Sequence, residues 1–209
     1  MYLDEMLIYG TVFLTIFKSF FMATHLMESI QKQMGFPPLQ KIDPNIQETK
    51  ERSLTQRQGL AQAAIPAVLA GFFATTRSDI GCNLILTGAA SENWVNVIFQ
   101  DNKLYVVEKV AHYCGLSLNE TALAMEDIAR EAELSIRKAI GEKPTIEKLR
   151  SYMRSQRHDI LVHLPAALQL GDLLHDNAMD DRTNKMEGPV SNFMHTIEDQ
   201  FSGGSPRQP

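Results

Sequence analysis

The residues best equipped for chemistry gather late in the chain: His158, Asp159, His163, Asp172, His175, Asp176, Asp180 and Asp181. Imidazole nitrogens and carboxylates are the usual ligands of zinc, manganese or iron. The chemistry to weigh first is therefore a metal-dependent hydrolase built on His158, Asp159, His163, His175 and Asp176. The spacing argues against it. His158 and His163 are five residues apart, which on a helix separates them by about 140° and leaves them on different faces. The outer histidines and acids that a metal phosphohydrolase would add are missing from the pattern. His175-Asp176 falls at an expected helix end, where the macrodipole favours a cation. Surface and helix-terminal polar residues account for the cluster more simply, and no cofactor is expected.

Nucleophilic catalysis finds less support. There is no Gly-x-Ser-x-Gly elbow, no Walker loop and no Gly-x-Gly-x-x-Gly run. Cys114 and His112 are two residues apart and point away from each other on a helix. Cys82 follows Gly81 without an evident base. The two cysteines form no zinc spacing, lie among apolar residues and read as small core groups. Low cysteine use fits a reducing cytoplasm. The formal net charge of -5 gives no pull towards nucleic-acid phosphates. Arg150, Arg154 and Arg157 recur at helical spacing, and a solvated helix face explains them best. The ten methionines and the aromatics Phe72, Phe73 and Trp94 fall at core spacing rather than forming a groove or a base-stacking platform.

These residues must be positioned by helices, since no stretch alternates with period two, and the expected fold class is all-α. Leu26, Met27, Ile30 and Met34 mark a first helix that Gly35-Phe36-Pro37-Pro38 ends. A long helix is expected from Ser53 or Thr55 to about Thr76, kinked or restarted at Pro66. Two short helices follow over Asp79 to Gln100, then a helix with Leu104, Val107, Val110 and Ala111 on its inner face. Gly115 is expected to stop that helix, and Ser117 and Glu120 have capping-box spacing for the next. There Ala122, Met125, Ile128, Ala129, Ala132, Ile136 and Ile140 form one stripe. Glu126–Arg130 and Glu133–Arg137 are expected to pair at i,i+4 on the outside. Thr145 caps a helix through Leu149, Tyr152 and Met153. Residues 177–189 read as a polar loop, residues 190–201 as a last short helix and residues 202–209 as a disordered tail.

One segment occurs twice. Thr55-Gln56-Arg57 leads into Ile65-Pro66-Ala67-Val68-Leu69-Ala70-Gly71, and Ser155-Gln156-Arg157 leads into Leu164-Pro165-Ala166-Ala167-Leu168-Gln169-Leu170-Gly171. Each copy places a proline in an apolar, alanine-rich helical pattern. Two related modules, 24–100 and 101–176, are expected within one domain over 22–201. Pro66, Pro165, Gly71, Gly171, Ser117 and Glu120 are then structural positions. Gln62 to Gly71, together with Gly115-Leu116-Ser117 and the alanine-rich helix after it, resembles the YidB-like set of small helical bacterial proteins of unknown function. The resemblance implies a helical fold and a bacterial origin, and no catalytic residues.

Residues 1–21 stand apart. Leu7 to Phe17 is almost wholly apolar, yet it follows Asp4 and Glu5 rather than the positive charge of a signal peptide. Three readings stay open: a helix packing on the core or a partner, a membrane-surface anchor through residues 7–21, or translation from Met22. The expected function is non-enzymatic. The protein would be a cytoplasmic helical domain acting through a protein partner or through homo-oligomer formation, with no nucleic acid bound. Membrane association through the N-terminal segment is the alternative location.

Overall fold

Fourteen consecutive residues, Gly59 to Phe72, are buried, and the rest of the molecule is arranged to bury them. The computed structural model describes residues 25–42, 54–90 and 93–170. Within them run seven α-helices: α1 Leu26–Gln33, α2 Gln56–Thr75, α3 Asp79–Thr87, α4 Trp94–Phe99, α5 Lys103–Cys114, α6 Leu118–Ile140 and α7 Ile146–His163. Short 3₁₀ turns occupy Gln100–Asn102 and Ala166–Leu168, and the described residues contain no strand. The fold is all-α. Helix α2 is its axis, with α1, α4, α5, α6 and α7 packed around it. By length and hydropathy α2 would suit a bilayer span, but here most of it lies inside the protein.

Small residues allow so many neighbours to approach one helix. Ala61, Ala63, Ala64, Ala67 and Ala70 have no exposure or nearly none. A Cβ added at Gly59 would lie 3.1 Å from the Cys114 Cα of α5, and one added at Gly71 would lie 3.1 Å from the Ile98 side chain of α4. Large side chains then fill the outer layer. The rings of Phe72 and Trp94 meet with centroids 5.1 Å apart and planes tilted by 50°, within the favourable range for aromatic pairs.

Helix ends are closed by side chains, as orphan backbone groups require. Thr55 and Gln58 form a capping box on α2 that was not expected, and Ser117 and Glu120 form the one expected on α6. Ser78 and Thr145 cap α3 and α7. Gly115, at φ 70°, takes the left-handed conformation that ends α5. Asn93 makes no side-chain cap on α4. Glu126 of α6 does so instead, its two oxygens accepting from the Trp94 N–H at 2.8 Å and the Val95 N–H at 2.9 Å.

Several expectations are corrected. The restart offered at Pro66 does not occur: α2 continues through it, although its ring nitrogen cannot donate to the Gln62 carbonyl one turn back. Pro165 is not inside a helix: α7 ends at His163, and Leu164 and Pro165 are extended, at ψ 117° and 128°. Proline disfavours the helical conformation of the residue before it. Leu164 obeys that rule, whereas packing on all sides holds the equivalent residue in α2. Thr55-Gln56-Arg57 opens a helix, while Ser155-Gln156-Arg157 lies in the middle of one. The twin segments share letters but not local structure. Helix α7 also runs well beyond Met153, through Asp159 to His163. Leu104 is exposed, and the inner face of α5 is Val106, Val107, Val110, Ala111 and Cys114. Gly171, residues 1–21 and residues 177–209 lie outside the described residues.

Gly59→Ala tests the close approach of α2 and α5. Overpacking costs about 1–3 kcal/mol, against about 1 kcal/mol gained in helix propensity. The Cys114 backbone has little freedom to retreat, so a net loss of about 1 kcal/mol is expected in urea denaturation.

Candidate functional site

Asp159 and His163 are one helical turn apart on α7 and face the same way. The His163 Nδ1 lies 2.8 Å from the Asp159 carbonyl oxygen and 3.6 Å from its carboxylate. A second imidazole comes from far away in the chain. His25, the N-cap residue of α1, places its Nδ1 3.4 Å from the other carboxylate oxygen of Asp159. Asp159 thus lies between two imidazoles. His158 is exposed on a different face of α7, as its spacing from His163 predicts. Asp172, His175, Asp176, Asp180 and Asp181 lie outside the described residues. Among the described residues, no group of three His, Cys, Asp or Glu side chains is arranged to hold a metal ion. His25 was missed by sequence reasoning because its only signal was a polar residue interrupting an apolar run.

The surroundings of this cluster are structural. Gln62 of α2 is buried and donates through Nε2 to the Gln40 and His163 carbonyls, both at 2.9 Å. Its Oε1 accepts from the Gln40 N–H at 2.8 Å. The Ile42 N–H donates to the Val162 carbonyl at 2.7 Å. The Oε1 of buried Gln156 accepts from the Leu26 N–H at 3.0 Å and so closes the start of α1. The C-terminal half of α7 therefore clasps residues 25–42 against α2, with Asp159 and His25 at the edge of the clasp. Polar groups buried in this way need their partners.

The other chemistry-bearing groups are similarly committed. Arg150 donates to the Thr76 carbonyl at 2.9 Å, the Arg77 carbonyl at 3.2 Å and the Asp79 carboxylate at 2.6 Å, sealing the end of α2. Cys82 and Cys114 are buried free thiols, and burial pushes the Cys82 thiol above its ordinary range. A thiol held protonated is a poor nucleophile. A shallow cleft of about 330 Å³ lies between the end of α6 and α7, lined by Ala139, Ile140, Lys148, Ser151, Tyr152 and Ser155. Burial raises the Tyr152 phenol there to about 12, so it stays protonated. The Lys148 ammonium is turned to the Lys143 carbonyl at 2.8 Å.

The outward face of α6 is different. Leu123 and Leu134 are 61% and 57% exposed, although the opposite face of the same helix is fully buried. The expected i,i+4 pairs on this helix are corrected: Arg130 pairs instead with Asp127 at 2.9 Å, since Glu126 is engaged at α4. Glu133 does pair with Arg137, at 3.0 Å, but its carboxylate is buried rather than outside. Ser117 donates to Glu120 through its hydroxyl at 2.6 Å and its N–H at 3.1 Å, and these bonds hold the Glu120 carboxyl below its usual range. No protein-family model, curated protein or solved structure matches the chain.

Gln62→Leu would leave the Gln40 amide and the His163 carbonyl without their partner. A loss of about 2–4 kcal/mol is expected, with faster hydrogen exchange at Gln40. Tyr152 sets an alkaline limit. An unfolded tyrosine titrates near 10, so the stability from its raised folded value is full below about pH 10 and lost as pH rises to about 12. Tyr152→Phe should remove that part of the decline in urea titrations across alkaline pH.

Proposed function

We propose that this protein works by contact with other protein surfaces, its own copies included, rather than by making or breaking bonds. The observation that carries the reading is α6, a long capped helix that buries one stripe and presents two leucines to water on the other. Leu104, Leu118 and Ile80 add exposed apolar surface on α5, α6 and α3. Contiguous exposed apolar surface marks interaction sites, and these side chains are the apolar surface on which the reading draws. The hydrolase alternative draws on His158, Asp159 and His163 among the described residues: His158 is exposed on another face of α7, the Asp159 carboxylate lies beside His25, and the His163 imidazole turns back on the Asp159 carbonyl of its own helix. The two buried free thiols support a cytoplasmic setting. Kinship with the YidB-like set belongs to the same proposal, supported by the two stretches that carry the resemblance.

The test is light scattering coupled to size exclusion, over a wide range of protein concentration, on chains beginning at Met1 and at Met22. A mass rising above the 23.5 kDa of one chain is expected. A constant monomer mass from both starts would sink the self-association reading. Loss of assembly only in the shorter chain would assign the contact to the N-terminal segment.

A further inference from the structure

Along the outward face of α6 stand Glu120, Leu123, Asp127, Arg130, Leu134 and Arg137, all exposed. Their separations are three, four, three, four and three residues, which is the seam spacing of a coiled coil. The buried stripe of α6 faces the core, so this second seam has no partner within the described residues. Its chemistry is symmetric. About the midpoint between Ile128 and Ala129, Leu123 mirrors Leu134, Asp127 mirrors Arg130, and Glu120 mirrors Arg137.

Resting on the contact-forming reading above, we propose that this face is a two-fold interface at which α6 pairs antiparallel with α6 of a second copy of the chain. A two-fold axis through the midpoint sets each leucine against the other copy's mirror leucine and each acid against a base. The parallel arrangement would set Asp127 on Asp127 and Arg130 on Arg130, and like charges across an interface are costly. A partner of unrelated sequence would have no reason to match this mirror order, whereas a second copy matches it by construction.

The present ion pairs do not compete with the assembly. Asp127 and Arg130 are bonded to each other at 2.9 Å. A guanidinium has five donors and a carboxylate about four acceptor sites, so both keep this bond and reach across the axis. The Glu120 bond to Ser117 and the Arg137 bond to Glu133 leave the same spare capacity. The two leucine layers are about 16 Å apart along the helix. A contact of that size with polar layers between its apolar ones makes a weak, concentration-dependent dimer, in which the charges set orientation more than affinity.

Sedimentation velocity on the full chain tests this. Asp127→Arg leaves two bases at the centre of the seam, and Arg130→Asp leaves two acids. Each variant alone should lose about tenfold or more in dimer affinity. An equimolar mixture should recover dimer as a heterodimer, and the double variant Asp127→Arg/Arg130→Asp should recover it alone. Circular dichroism checks that every variant keeps its helices, and the double variant carries both substitutions in one chain if a single one folds poorly. Loss in the single variants with recovery in the mixture and the double variant supports the proposal. Association indifferent to the swaps overturns it and leaves the contact-forming reading standing with another surface. A wild-type chain that stays monomeric overturns the proposal together with the self-association reading.

Discussion

A helix buried on every side sets the terms for this molecule. Beyond its exposed first turn helix α2 meets five neighbours, and its buried stretch has no outward face on which to keep charge. Between Gly59 and Phe72 it holds alanine, glycine, large aliphatics, one proline and one glutamine. Close approach requires small side chains where other helices cross, and alanine supplies them at no cost in helix propensity. Proline is tolerated in the middle because the surrounding packing outweighs the lost hydrogen bond. The single polar side chain, Gln62, is buried with three hydrogen bonds, so its amide becomes a clamp rather than a defect.

The same demand reaches the ends of the helices. A central helix surrounded by short ones produces many termini close to the core, and each carries backbone groups that need partners. Local caps serve α2, α3, α6 and α7. Distant side chains serve others: Glu126 closes α4, Gln156 closes α1 and Arg150 seals the exit of α2. The acids, amides and guanidinium groups that a sequence reader would inspect for chemistry are largely spent in this way. Among the described residues α6 keeps exposed apolar surface, and the contact reading proposed above draws on it.

Helix identity and most helix boundaries were legible because they follow from neighbours in the chain. Ser117 and Glu120, Gly115 and Thr145 close helix ends through bonds to residues within a turn, and each does so where its spacing placed it. The stripe on α6 was legible for the same reason, since period 3.6 is a local property. Less was legible for the candidate site. Asp159 and His163 could be seen as near neighbours on a helix, but His25 reaches them from a residue distant in the chain. Glu133 and Arg137 were legible as a pair and not as a buried one, because burial depends on what lies opposite. Leu104 read as core by its apolar type, yet among the described residues it is exposed.

The prolines separate the two kinds of information most clearly. Pro66 and Pro165 sit in nearly the same apolar text, and the chain alone treats them alike. One lies in a continuous helix and the other just beyond a helix end. By itself the sequence determined the all-α class, the capping turns and the faces of the amphipathic helices, because those depend on interactions within a few residues. Only the tertiary structure decided which helix is central, which polar side chains close distant helix ends and which leucines are left in water. Those outcomes depend on long-range packing, whose energy lies in the neighbours each segment acquires.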